Sequence, residues 1–152
     1  MNQQAQKYWD DFWQDKEKPQ NKVIAENFGI ANTPMADYLA GLVTSGIKTS
    51  TCASYEVYQH NGWDLPEVGM YSVILDSKDQ PLCIIQTTSV EIIPMNEVGE
   101  EFAAAEGEGD LSHKFWWDTH EKYFTQELKS YGMEFREDMP LVCEWFKLID
   151  VR

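Results

Sequence analysis

The chain has 152 residues, long enough for one domain that buries roughly 70% of its unfolded surface without disulfide or metal staples. With 43% apolar and 25% charged residues it has the composition of an ordinary globular protein, which excludes disordered and collagen-like chains. Twelve Lys and Arg against 26 Asp and Glu leave a net charge of −14, which excludes broad attraction to a phosphate backbone or an anionic lipid surface.

The opening segment MNQQAQKYWDDFW lacks the basic start and apolar stretch of a signal peptide, and no run approaches the ~18 apolar residues of a membrane span, so a soluble cytoplasmic protein is expected. From Gln4 to Lys18 the spacing predicts a helix, with Tyr8, Trp9, Phe12 and Trp13 on one stripe and Asp10, Asp11 and Asp15 opposite. Such a stripe is expected to pack on its own domain or on a homodimer partner; stacking bases is the rarer use. Val23 to Phe28 is read as a second short helix stopped at Gly29. Thr33-Pro34 opens a third, buried through Leu39, Leu42 and Val43 and ended at Gly46.

Thr49 to Tyr55, rich in β-branched residues, is expected to be the first strand, followed by a loop through Asn61-Gly62 and Leu65-Pro66. Tyr71–Leu75 and Leu82–Ile93 form a hairpin around the polar turn Asp76–Pro81. Asn96–Ala105 reads as helical, Glu106–Asp110 as a flexible acidic loop, Ser112–Leu128 as a helix and Leu141–Val151 as a final strand. No repeat and no long linker separates two domains, so the pattern is α+β around a small sheet or barrel. Cys52, Cys83 and Cys143 are three, widely spaced, and without a C-x-x-C pair, which suits buried structural cysteines in a reducing compartment.

Three features carry candidate chemistry. In Gly46-Ile-Lys-Thr-Ser-Thr51, Lys48 is the only Lys or Arg between Val23 and Ser77, against six acidic residues. Lysine at a helix end is commonly a cap for the last carbonyls, but a buried lysine gives up its proton more easily and can act as a base on a neighbouring hydroxyl. Lys48 and Thr51 are an odd number of residues apart, so both can face one site only if Lys48 lies in the turn or a bulge intervenes. Glu106-Gly-Glu-Gly-Asp110 offers three carboxylates on a backbone freed by glycine; its plainer reading is a solvated loop with Asp110 or Ser112 capping the next helix. His113 and His120 are about 10.5 Å apart along one helix, too far to share a zinc ion, and the acidic loop lacks an EF-hand pattern, so no metal or other cofactor is expected.

Four stretches resemble the ASCH domain family, in its bacterial branch with an N-terminal helical extension. They are Asp37–Thr51, Leu65–Gly69 leading into Pro81–Ile85, Phe102–Asp110 running on to Trp116, His120, Tyr123 and Phe124, and Met139–Phe146. The resemblance implies a PUA-like fold, a small, mostly antiparallel β-barrel with helices packed around a cleft. It also implies a helical extension over residues 1–32 ahead of an ASCH domain over 33–152. A short member of the family resembles an amidohydrolase that removes acetyl groups from N4-acetylcytidine with a lysine, a threonine and a glutamate. Carried over, these fall on Lys48, Thr51 and Glu106, with Glu108 as the rival glutamate. Thr49, Glu108, Asp110, Trp116 and His120 would line the substrate site. The resemblance thus implies a metal-free amidohydrolase for an N4-acylated cytidine or similar nucleoside; the alternatives are a non-catalytic module for a modified nucleotide or short single-stranded RNA, and less readily a ribonuclease.

Overall fold

The computed structural model describes all 152 residues. Helix α1 (Gln3–Trp13) is capped by Asn2, whose side chain accepts from the Ala5 amide at 2.8 Å. Its stripe is buried on the sheet, where Tyr8 and Trp9 pack with Tyr71, Val73, Leu75 and Ile84. The aromatic face is therefore spent inside the domain, and each fully buried large side chain stabilises by about 1.5–3 kcal/mol. The Tyr8 hydroxyl also donates to Asp150 at 2.6 Å, tying the helix to the end of the chain.

The remaining elements are β1 (Val23–Glu26), α2 (Pro34–Thr44), β2 (Ser50–Ser54), α3 (Tyr55–Asn61), β3 (Tyr71–Leu75), β4 (Pro81–Pro94), α4 (Glu100–Ala105), α5 (His113–Ser130) and β5 (Pro140–Val151). A single 3-10 turn, Met95–Glu97, follows β4. The strands form one sheet in the order β1-β3-β4-β5-β2, antiparallel except for the β1–β3 pair.

Two local expectations are corrected. Val23–Glu26 is a strand and not a helix, because it finds a parallel partner in Tyr71–Ile74, and four residues of mixed polarity hold no period strong enough to choose between the two. Tyr55–Asn61 is a helix where a strand end and a loop were expected: the Ser54 side chain accepts from the Val57 amide at 3.3 Å and Gly62, at φ 65°, ends the helix.

The α+β class holds, but the barrel does not. β1 and β2 stand at opposite edges of the sheet and pair with nothing on their outer sides, so the five strands form an open sheet. Register shifts at Ile84/Ile85 and Thr87/Ser89 interrupt the long β4–β5 ladder, as bulges that bend a sheet do. Closure would need backbone pairing between the two edges. Residues of both edges instead line a groove that also holds Tyr58, Trp63, Tyr123 and two glutamates.

The core falls in three parts. Besides the α1 cluster, α2 buries Leu39, Ala40 and Val43 against Ile74, Cys83, Ile85 and Phe146. α4 and α5 bury Phe102, Trp116, Phe124 and Leu128 against Met139, Leu141 and Cys143. Met35 and Leu39 from the second part and Phe124 from the third face a common cavity, so the candidate site lies between them.

Candidate functional site

Lys48 leaves α2 two residues beyond Gly46, in the link before β2, so strand alternation does not govern it. Its amide donates to Leu42 O at 3.0 Å, which turns the chain back over the end of the helix. The side chain is only 2% exposed. Its Nζ donates to Glu106 Oε1 at 3.1 Å and approaches the Glu106 carbonyl at 3.4 Å, joining residues 58 apart in sequence. The adjacent Thr49 amide donates to Ala105 O at 2.8 Å, which fixes this link against the end of α4.

Glu106, also 2% exposed, follows α4 directly. Gly107 then turns at φ +79°, and a Cβ there would stand 2.9 Å from Ile47 Cγ2 and 3.0 Å from Ile47 O. The glycine expected to admit a ligand instead admits the neighbouring backbone, and so holds Glu106 against Lys48.

Four donors converge on the Glu106 carboxylate. Oε1 takes Lys48, while Oε2 takes the Trp116 indole N–H, Cys52 Sγ at 3.3 Å and His120 Nε2 at 3.1 Å. His120 Nδ1 faces the Trp116 carbonyl at 2.7 Å, so both ring nitrogens meet acceptors and the imidazolium is the form that satisfies both. Burial lowers the His120 pKa, but Glu106 and the Trp116 carbonyl outweigh it and the net shift is upward. For Glu106, burial works to raise the carboxyl, and Lys48, His120 and Trp116 reverse that, holding it at about 2. The Cys52 thiol is pushed well up by burial and by Glu106, so it stays protonated.

The cavity over this cluster encloses about 70 Å³ and is lined by Lys48, Thr51, Cys52, Glu106, Glu108 and His120, with Met35, Leu39, Thr119, Tyr123 and Phe124. Glu108 is raised, chiefly by burial, and so holds a proton more readily than a free glutamate. Cys52 Sγ, a Glu106 oxygen and a His120 nitrogen lie within 4.8 Å of one another, a donor set that zinc accepts. A divalent ion there would have to compete with the Lys48 ammonium for the same carboxylate.

The structure thus brings Lys48, Thr51, Glu106, Glu108 and His120 to one cavity, with Trp116 behind it as a hydrogen-bond donor to Glu106. Thr49 and Asp110 are not among its lining residues. Thr49 serves through its backbone, and Asp110 is exposed and accepts from the Ser112 amide at 2.9 Å at the start of α5. Cys52, Thr119 and Tyr123 escaped the sequence reading because a cysteine on a strand and two residues of an amphipathic helix carry no local mark of a site.

A family model described as ASCH domain matches residues 24–150. Among solved structures, an ASCH domain from Lactobacillus crispatus JV V101 is 34% identical, with a TM-score of 0.88 over 97% of this chain and 95% of that one. A protein from Enterococcus faecalis V583 is 39% identical, with a TM-score of 0.86 over 99% of this chain and 91% of that one. A third, described as a hypothetical protein, is 10% identical at a TM-score of 0.50 over 86% of this chain and 100% of that one, and bears on the fold alone. No curated protein matches the sequence.

Proposed function

This chain belongs to the ASCH domain family, and on that premise we propose that it is an amidohydrolase that removes the acyl group from an N4-acylated cytidine or a similarly modified nucleoside. One observation carries the reading: Lys48, Thr51 and the two glutamates line a single cavity, with Lys48 withdrawn from water against Glu106.

Thr51 Oγ attacks the acyl carbon. Lys48, as the free amine and held in place by its 3.1 Å contact with Glu106, takes its proton, and Glu106 stays ionised throughout. The C–N bond then breaks, and Glu108, whose hold on a proton is strengthened by burial, protonates the departing N4 amine. Water, giving a proton to the Glu108 carboxylate, cleaves the acyl-threonine ester, and Lys48 returns the Thr51 proton. Glu106, with every oxygen already engaged, serves as the anion that positions Lys48 and His120. Of the two glutamates that the sequence left as rivals, Glu108 therefore fits the acid and Glu106 the anchor. A nucleoside-sized ligand also suits the charge, since the central lysine is buried and paired and offers a phosphate chain no track.

The test is turnover of N4-acylated cytosines, cytidines and deoxycytidines, read by ultraviolet absorbance with a chelator present. Turnover should survive the chelator, fall at least 100-fold in Lys48→Ala and Thr51→Val, and fall with a changed alkaline limb of the pH profile in Glu108→Gln. A panel with no turnover by the unaltered protein would overturn the enzyme reading in favour of a binding module, to be sought with short single-stranded RNAs across a salt series.

A further inference from the structure

The open gap of the sheet holds a second space. Between β1 and β2 lies a groove of about 680 Å³ that shares Gly29, Thr51, Cys52 and Tyr123 with the Lys48 cavity, so the two adjoin. An amide placed over Thr51 stands at the border of this groove. The groove has an aromatic wall: Trp63, 56% exposed, meets Tyr58 edge to face with ring centroids 5.7 Å apart. Opposite, Glu26 on β1 and Glu144 on β5 face the same space.

These two carboxylates are half-buried and neither takes part in any of the ion pairs of the protein. Lys22 lines the adjoining space together with both glutamates, but its ammonium lies 3.4 Å from Asp64 and forms an ion pair with neither of them. Tyr58, Tyr123, Cys52, Glu127 and Asp64 are the other ionisable groups lining this region, and none of them is cationic. Two half-buried glutamates without an ion-pair partner, beside an exposed indole, leave room for a positive group between them.

We infer that this groove is the subsite for the distal part of the substrate, and that this part carries a cation, an ammonium or a protonated ring, held between Trp63 and the Glu26–Glu144 pair. The inference rests on the amidohydrolase reading for what occupies the Lys48 cavity, but the groove itself is testable without turnover. A phosphate in this position would face two carboxylates, so the groove selects an unphosphorylated, basic ligand over a nucleotide strand. Burial together with Glu26 pushes Glu144 up to about 8, so a cation that favours the ionised pair releases a proton, and its affinity rises from pH 6 to pH 9.

The probes are benzyltrimethylammonium, whose charge does not titrate, benzyl alcohol and benzoate, each titrated calorimetrically into the full chain. The ammonium should bind at least 10-fold more tightly than the alcohol, and benzoate should not bind. Glu26→Gln/Glu144→Gln should cost the ammonium at least 10-fold, Trp63→Ala several-fold, and Lys48→Ala nothing. Circular dichroism checks that each variant is folded, and the single glutamine variants stand in if the double one is not. Equal binding of ammonium and alcohol, undiminished binding by the glutamine variants, or no ammonium binding at all would overturn the subsite. Ammonium binding of this pattern without turnover of any acylated substrate would overturn the hydrolase reading and leave the cation subsite standing.

Discussion

Glu106, at the end of α4, and the pair Glu26–Glu144, on β1 and β5, are carboxylates withdrawn from water in one domain, yet they are held in opposite states. Glu106 collects an ammonium, an imidazolium, an indole and a thiol and is kept ionised, at about 2. Glu144 has burial and another glutamate for neighbours and rises to about 8. Burial acts in the same direction on both; the partners decide the charge. A carboxylate whose partners are built in serves as a fixed anion, and one without partners is open to a ligand that brings its own.

The sharpest break of this comparison is to remove the built-in partner. Lys48→Met leaves Glu106 buried with its principal counter-charge gone, and urea denaturation at pH 7 should show a loss of about 3–5 kcal/mol. A loss no larger than that of an exposed lysine such as Lys7 would mean the pair is not what holds Glu106 ionised. The reverse substitution belongs to the groove. Because the folded pKa of Glu144 lies above its ordinary value of 4.5, the folded state holds that proton more tightly, and the stability linked to it, complete below pH 4.5, is lost as pH rises through about 8. Glu144→Gln should therefore stabilise by about 2–4 kcal/mol at pH 8.5 and change little at pH 5.

Glu106 has the opposite sign. Its folded pKa lies below the ordinary value, so its contribution is present above pH 4.5 and is lost as pH falls toward 2. Denaturation curves taken from pH 3 to 9 should depart from the unaltered protein with opposite signs, Glu106→Gln less stable from about pH 4.5 upward and Glu144→Gln more stable as pH rises toward 8, both approaching it as pH falls; departures of the same sign would dissolve the distinction. Gly107→Ala tests the anchor through the backbone alone: a non-glycine residue at φ +79° against Ile47 should cost about 1–3 kcal/mol and lower turnover, with every site side chain still present. The smallest effect is expected on α1. Trp13 Nε1 is the one buried side-chain donor without a hydrogen bond, so Trp13→Phe should stay within about 1 kcal/mol of the unaltered protein by thermal or urea melting.

Much of the frame was legible because it rests on local signals. The stripe through Tyr8, Trp9, Phe12 and Trp13, the Thr33-Pro34 helix start, the hairpin around Asp76–Pro81 and the helix after Ser112 each state their own geometry. Val23–Glu26 was not legible, since its strand state comes from a partner at Tyr71–Ile74. Ser54 could have marked the start of α3, but a β-branched run ending on it reads equally as a longer strand. Within the site, Gly46-Ile-Lys-Thr-Ser-Thr51 drew attention to Lys48 and Thr51, and Glu106–Asp110 to the glutamates. The four donors on Glu106 depend on contacts across 10 to 58 residues that no spacing reports.

The sequence by itself determined the α+β character, the amphipathic helices, the hairpin and the placing of a lone lysine beside three hydroxyls, because periodicity, capping and local charge are properties of neighbouring residues. Only the tertiary structure decided that the sheet stays open, that Lys48 meets Glu106, and that Glu26 and Glu144 share a groove beside Trp63. The reason is that ionisation in an interior is set by which groups are packed within a few ångströms, and strands far apart in the chain supply them.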